Sequence, residues 1–123
     1  MPAWTNAELD RIDSVQEITL ASARGDGSLR TPVIMWVVRS GESVYVRSVN
    51  GRGSSWYRGA QERHEACIHA GGVEKHVSLI ETDEAGEEID VAYQAKYGGR
   101  YPTVVPSIVA AKARAATLEL TPR

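Results

Sequence analysis

Short apolar runs, one of them alternating with period two, recur along this chain between glycine-marked turns and short helical segments. Thr5-Asn6-Ala7-Glu8 reads as a capping box. A short helix is expected there, with Leu9 and Ile12 on one face and Trp4 placed as a hydrophobic staple. From Val15 the period falls to two. Ile18, Leu20 and Ser22 alternate with Thr19, Ala21 and Ala23, as in a strand. Arg24-Gly25-Asp26-Gly27 is a turn. Leu29 to Val38 is a second run, rich in β-branched residues, with Pro32 inside it. Proline cannot donate to a ladder, so that position is an edge, a bulge or a kink. Ser40-Gly41-Glu42 turns the chain into a third run, Ser43 to Val49. The three runs make an antiparallel meander.

A helix is expected to begin near Ser54 and to end at Gly59. Ala66 to Ala70 and His76 to Thr82 form a strand pair around Gly71-Gly72. An acidic loop follows, with Glu84-Ala85-Gly86-Glu87 as its turn. Asp90 then suits the cap of a helix from Val91 to Tyr97, ended by Gly98-Gly99. Tyr93 and Tyr97 share one face of it and read as packing residues. Pro106 suits the first turn of a last helix, Ser107 to Lys112. Ala115 to Thr121 closes the chain as a strand. About six strands and a few short helices predict a mainly β (α+β) fold, a small antiparallel barrel with helices outside it.

Length and charge narrow the function. The 123 residues suit a single domain, 1–123, with a modest core. A cofactor site in so small a chain is expected at a subunit interface. The net charge of -2 does not suit a nucleic-acid binder. Charges are nevertheless segregated: Arg47 to Arg63 holds four arginines against one acid, Glu62. Cys67 is the single cysteine, which excludes an intramolecular disulfide and fits a reducing compartment. The N-terminal segment is acidic rather than signal-like, and the longest strongly apolar run, Val33 to Val38, is too short to span a bilayer. A cytoplasmic protein without a membrane partner is expected.

The richest chemistry lies between Val44 and Gly59. A strand leads through Asn50-Gly51-Arg52-Gly53 into a helix start at Ser54-Ser55. Arg47 and Arg52 each offer a forked guanidinium to an oxyanion. Ser54 or Ser55 can cap the helix and face the same anion, whose charge the helix N-terminus favours. An anionic small-molecule ligand is the class this predicts. The same residues also suit an ordinary hairpin signal at Asn50-Gly51 and ordinary serine capping. His64, Cys67 and His69 lie close together, Cys67 and His69 share a strand face and His76 is the one other candidate ligand, but the spacing matches no standard zinc motif, and no metal site is expected. Cys67 sits in an apolar strand, where cysteine behaves as a small hydrophobe. No nucleophile elbow or Walker loop is present.

Three stretches carry a family resemblance: Leu29-Arg30-Thr31-Pro32-Val33-Ile34-Met35-Trp36, Val44-Tyr45-Val46-Arg47-Ser48, and Gly51-Arg52-Gly53-Ser54-Ser55-Trp56-Tyr57. Together with Ala92-Tyr93-Gln94-Ala95-Lys96-Tyr97-Gly98 they resemble the flavin-binding split-barrel superfamily. That superfamily includes pyridoxamine-phosphate-oxidase-like proteins and deazaflavin-dependent nitroreductases, and the chain resembles in particular a small domain-of-unknown-function family within it. The resemblance implies a six-stranded split barrel, a homodimer, and FMN or a deazaflavin coenzyme near the dimer interface. It implies that Thr31, Pro32 and Val33 run along the ring, and that Arg47, Ser48, Arg52, Ser54, Ser55 and Trp56 hold the phosphate side. Where the family's phosphate region often carries a lysine, the nearby cations here are arginines. Trp36, Tyr45 or Trp56 would offer a ring for stacking, and Tyr93, Lys96 and Tyr97 would shape the substrate side. Two function classes follow: a flavin- or deazaflavin-dependent oxidoreductase, or a binding module for an anionic small ligand that has lost the cofactor.

Overall fold

The computed structural model describes residues 4–82 and 86–123. Seven strands form one antiparallel sheet: β1 Ile18–Ser22, β2 Val33–Met35, β3 Val38–Ser40, β4 Ser43–Arg47, β5 Glu65–Ala70, β6 Val73–Glu81 and β7 Thr117–Pro122. Their order is β2-β1-β5-β6-β7-β4-β3. The two outermost strands, β2 and β3, are separated by only Trp36 and Val37 in the chain. The sheet must therefore curl until its edges meet along residues 33–40. This is the expected barrel and meander, with one correction: the second run is two short strands rather than one strand from Leu29 to Val38.

The break has a local cause. Val37 turns both of its backbone groups away from the ladder. Its N–H donates to the Tyr97 hydroxyl at 3.1 Å, and its carbonyl accepts from Lys96 Nζ at 2.8 Å. The Tyr97 hydroxyl in turn donates to the Gln16 carbonyl at 2.7 Å. Pro32 lies just before β2, outside the ladder. Leu29 reaches the sheet only through an isolated bridge to Ala23.

Alternation along each strand divides the apolar residues between two cores. Val44 and Val46 of β4 point into the barrel with Leu20, Ile68, Val77, Leu118 and Leu120. Helix α1 (Asn6–Ser14) plugs one end with Leu9 and Ile12, and its capping box at Thr5 and Glu8 is formed as expected. Trp4 is buried in the same core and donates its indole N–H to the Leu120 carbonyl. Tyr45 and Arg47 face the other way, under helix α3 (Gly86–Tyr97). There Tyr45, Val38, Ile89, Tyr93, Tyr97, Val105 and Ile108 make the second core.

Three helix boundaries differ from expectation. Helix α2 runs Ser55–Arg63, so Gly59 lies in its interior and His64, in the left-handed region at φ 59°, ends it. Gly59 lets Arg30 pack closely: a Cβ there would sit 3.1 Å from Arg30 Nε, whose side chain also donates to the Gly59 carbonyl. Helix α3 begins at Gly86, so Asp90 is interior and pairs with arginines rather than capping. The acidic Glu87 and Glu88 occupy its first turn, where the dipole favours them. Residues 83–85, most of the expected acidic turn, lie outside the described residues. The last helix is two, α4 (Val105–Ile108) and α5 (Ala111–Arg114), and at the break the Ile108 carbonyl accepts from Arg47 at 3.2 Å. Strand β6 starts earlier than expected, directly after Gly71-Gly72. Both glycines take positive φ (56° and 90°), as a two-residue hairpin turn demands. Among the described residues no helix is long and apolar enough to cross a membrane.

Two outcomes follow from the Val37 junction. Tyr97→Phe leaves the buried Val37 N–H without its acceptor and is expected to lower stability by about 1–3 kcal/mol, read as a fall in urea midpoint at constant m-value. Burial also pushes the Lys96 ammonium from 10.5 down to about 8, an effect that Asp13 partly opposes. Between those two values the unfolded chain holds the lysine proton more tightly than the folded one, so this group adds stability as pH rises. Cys67, Tyr57 and Tyr97 are raised by burial and act in the opposite sense at alkaline pH. They are common to wild type and Lys96→Met. The wild type should therefore gain on Lys96→Met as pH rises from 8 to 10.5, measured as the difference between their urea midpoints.

Candidate functional site

Strand β4 leaves the barrel at Arg47 and the chain turns through Ser48-Val49-Asn50 into a single 3-10 turn, Gly51–Gly53, then α2. This path borders a cleft of about 250 Å³, lined by Glu17, Ile34, Met35, Trp36, Arg47, Ser48, Val49, Asn50, Trp56, Val104 and Ile108. Trp36 forms a rigid part of its wall because the ring is stacked on Tyr97, with centroids 4.0 Å apart and planes 4° from parallel. Trp56, in the first turn of α2, makes an edge contact with Tyr57. The positive end of the α2 dipole lies at this residue.

Arg47 lies at the cleft but is spent within the fold. Its side chain is fully buried. Nε donates to Thr117 Oγ1 at 3.0 Å, one terminal nitrogen pairs with Asp90 and donates to the Ile108 carbonyl, and the other donates to the Gly86 carbonyl at 3.1 Å. Its carbon Cζ lies 5.5 Å above the centre of the Tyr93 ring. Thr117 is the cross-strand partner of Arg47 in the β4–β7 register, and Asp90 also pairs with Arg114 at 3.2 Å.

The other residues expected at the site are divided. Ser48 is buried at the cleft, with its hydroxyl 2.7 Å from that of Ser54. Ser54 caps α2 by accepting from the Tyr57 N–H. Ser55 is exposed as the first residue of α2. Arg52 points elsewhere: it pairs with Glu81 at 2.9 Å, lies over the Tyr57 ring and lines a separate cleft with Glu81, Thr82, Ala115 and Thr117. Hydrogen bonds from Tyr57 and Gln61, with the charges of Arg52 and His64, hold the Glu81 carboxyl below its usual value. Thr31 and Pro32 are exposed and Val33 packs against the barrel core. The cleft is bordered by the next three residues of that run, Ile34, Met35 and Trp36. Tyr45, Tyr93 and Tyr97 belong to the second core, and Lys96 and Tyr97 line a different cleft with Arg100 and Tyr101.

Sequence reasoning missed Glu17, Ile34, Met35, Val49, Asn50, Val104 and Ile108. One signal for part of this set was present. Val49 and Val104 are apolar residues outside any regular element, and a large apolar side chain in a polar turn asks for a partner. Ile34, Val49 and Val104 are 64%, 43% and 43% exposed, and all three converge on this one cleft.

Residues 8–120 match the model of a family described as uncharacterized protein conserved in bacteria (DUF2255). The chain belongs to this family. No curated protein has a significantly similar sequence. Solved structures show where the fold recurs. The conserved hypothetical protein Rv2991 from Mycobacterium tuberculosis is 17% identical with a TM-score of 0.65, over 99% of this chain and 82% of that one. HutZ, the heme storage protein from Vibrio cholerae, is 13% identical with a TM-score of 0.59, over 96% and 89%. An F420 reductase is 16% identical with a TM-score of 0.55, over 100% and 96%. The likeness is one of fold, and the fold is the split barrel that the sequence resembles.

Arg47→Met keeps much of the side-chain volume but strands the Gly86 and Ile108 carbonyls and halves the pairing of Asp90. Losing one partner of such a buried pair is expected to cost about 3 kcal/mol, measured by urea unfolding. An unchanged midpoint would show that the guanidinium is not a structural tie.

Proposed function

We propose that this DUF2255 protein holds a flat conjugated redox coenzyme, FMN or a deazaflavin, in the cleft between Trp36 and Trp56. In this reading it is an oxidoreductase that passes hydride to or from a small organic substrate. The observation that carries the reading is the composition of that one cleft. Trp36, Met35 and Ile34 give a flat apolar wall. Ser48, Asn50 and the start of α2 give a polar end suited to an anionic tail. The F420 reductase and the heme storage protein HutZ, which share the fold, are named for ring coenzymes of this shape.

The residues present fit such a group in part. About 250 Å³ is small beside the 300–1,000 Å³ of a typical ligand pocket. One protomer therefore covers part of the coenzyme, and the exposed Ile34, Val49 and Val104 are suited to a second copy that closes the rest. A homodimer with the cleft at its interface follows. The bound ring would supply the hydride chemistry. The chain's own part is to orient and to exclude water: Trp36 fixes the plane, Ser48 and Asn50 offer hydrogen bonds, and the apolar rim keeps the pocket dry. Arg52 would join the phosphate side only by leaving Glu81.

A second reading is a binding module without catalysis. It is favoured by the state of Arg47, the cationic side chain among the residues lining the cleft, whose guanidinium is already paired with Asp90. A ligand held mainly by apolar contact would then suffice.

Titration of the purified protein with FMN, with the deazaflavin coenzyme F420 and with hemin, followed by absorption and tryptophan quenching, tests the proposal. Saturable binding of FMN or F420 is expected, with Trp56→Ala, which also loses packing against the barrel core, weakening it at least about tenfold, or 1.4 kcal/mol, at a temperature where the variant is still fully folded by circular dichroism. Sedimentation should report a dimer. Binding without reductase turnover would favour the second reading, and no saturable binding of either coenzyme would sink the first.

A further inference from the structure

The β5–β6 hairpin carries a cluster that the cleft does not use. Cys67 stands directly opposite His76, and His69 directly opposite Glu74. Directly opposed residues share a face of the sheet, as do residues two apart on a strand. The four side chains therefore form a two-by-two block on the outer face. The alternate residues Ala66, Ile68, Ala70 and Val77 fill the barrel interior.

We propose that Cys67, His69, Glu74 and His76 form a binding site for a borderline-soft divalent cation of the zinc class. The ligand atoms of Cys67, His69 and Glu74 already lie within 4.8 Å of one another, and His69 Nε2 is 3.7 Å from Glu74 Oε1. Four ligands at the usual 2.0–2.3 Å from zinc stand about 3.3–3.8 Å apart, so closing the set takes side-chain rotations rather than a backbone shift. His76 is exposed and free to turn towards Cys67 as the fourth ligand. One thiolate, two imidazoles and a carboxylate make a donor set suited to zinc and unlike the all-oxygen shells of calcium or magnesium.

The surroundings permit it. On β1 the residues opposite Cys67 and His69 are Ala21 and Thr19, both small. Lys75, between the two β6 ligands, faces the other way and pairs with Glu8 at 2.9 Å. Glu65, next on the same face, pairs with Arg63 and Arg123, which neutralises in part the two cations that border the same cleft as His76. None of the four ligands lines the coenzyme cleft, so this site stands or falls independently of the function proposed above. The barrel has its own core, and the metal would fasten an already formed hairpin rather than fold the chain.

The test is a titration of the untagged, reduced protein with Co²⁺ and then Zn²⁺. One Co²⁺ per chain is expected, with a thiolate-to-cobalt charge-transfer band and the intense visible bands of four-coordinate cobalt, both abolished by excess Zn²⁺. Cys67→Ser should remove the charge-transfer band. His69→Gln and His76→Gln, at exposed positions that the fold does not need, should each weaken binding at least tenfold, whereas His64→Asn, outside the block, should not. Absence of the thiolate band in the folded wild type would overturn the proposal, as would affinity unchanged in both His69→Gln and His76→Gln.

Discussion

The buried guanidinium of Arg47 is the interaction on which most of the outer layer rests. Strand alternation sends Arg47 to the same face as Tyr45, away from the barrel interior and under α3. A charge in that position costs several kcal/mol unless it is paired and its donors are met. The fold meets them from several directions: Thr117 on β7, Asp90 and the Gly86 carbonyl on α3, and the Ile108 carbonyl at the end of α4. The partners come from β7, α3 and the end of α4, so satisfying the charge fixes how α3 and α4 lie against β4 and β7. The floor of the cleft beside Trp36 is a by-product of that arrangement.

A second constraint acts at Val37. A barrel needs its two edges to meet, and here a single run serves both edges by leaving the ladder for two residues. Tyr97 and Lys96 satisfy the freed backbone groups from α3. The same helix supplies the ring on which Trp36 stacks. Closing the barrel and building the flat wall of the cleft are thus one structural event, and α3 is the element that performs both tasks.

These two constraints explain why the site differs from a simple reading of its residues. Arg47 is where an anion-binding arginine was expected, yet its donors are committed to the fold. Arg52 is drawn to Glu81 on β6. What remains at the cleft is aromatic, aliphatic and hydrogen-bonding rather than strongly cationic, a composition better matched to a flat ring than to a bare phosphate. The family match covers residues 8–120, nearly the whole chain.

Period and punctuation alone determined much of this protein. The capping box at Thr5 and Glu8, the alternation in β1, the runs that become β4 and β5, the Gly71-Gly72 turn and the serine cap of α2 are set by neighbours a few residues away, and all were legible. The regions around Ser48 and Trp56 were legible too, because turn and helix-start chemistry is local. Tertiary structure decided the rest. Asp90 became a partner of Arg47 instead of a cap, α2 ran past Gly59, beside which Arg30 packs, and the run around Pro32 broke where Tyr97 reached Val37. Strand register likewise set Cys67 against His76 and His69 against Glu74, which spacing along the chain does not reveal. In each case the deciding energy is a buried polar group finding its partner across tens of residues, and a local pattern carries no record of that distance.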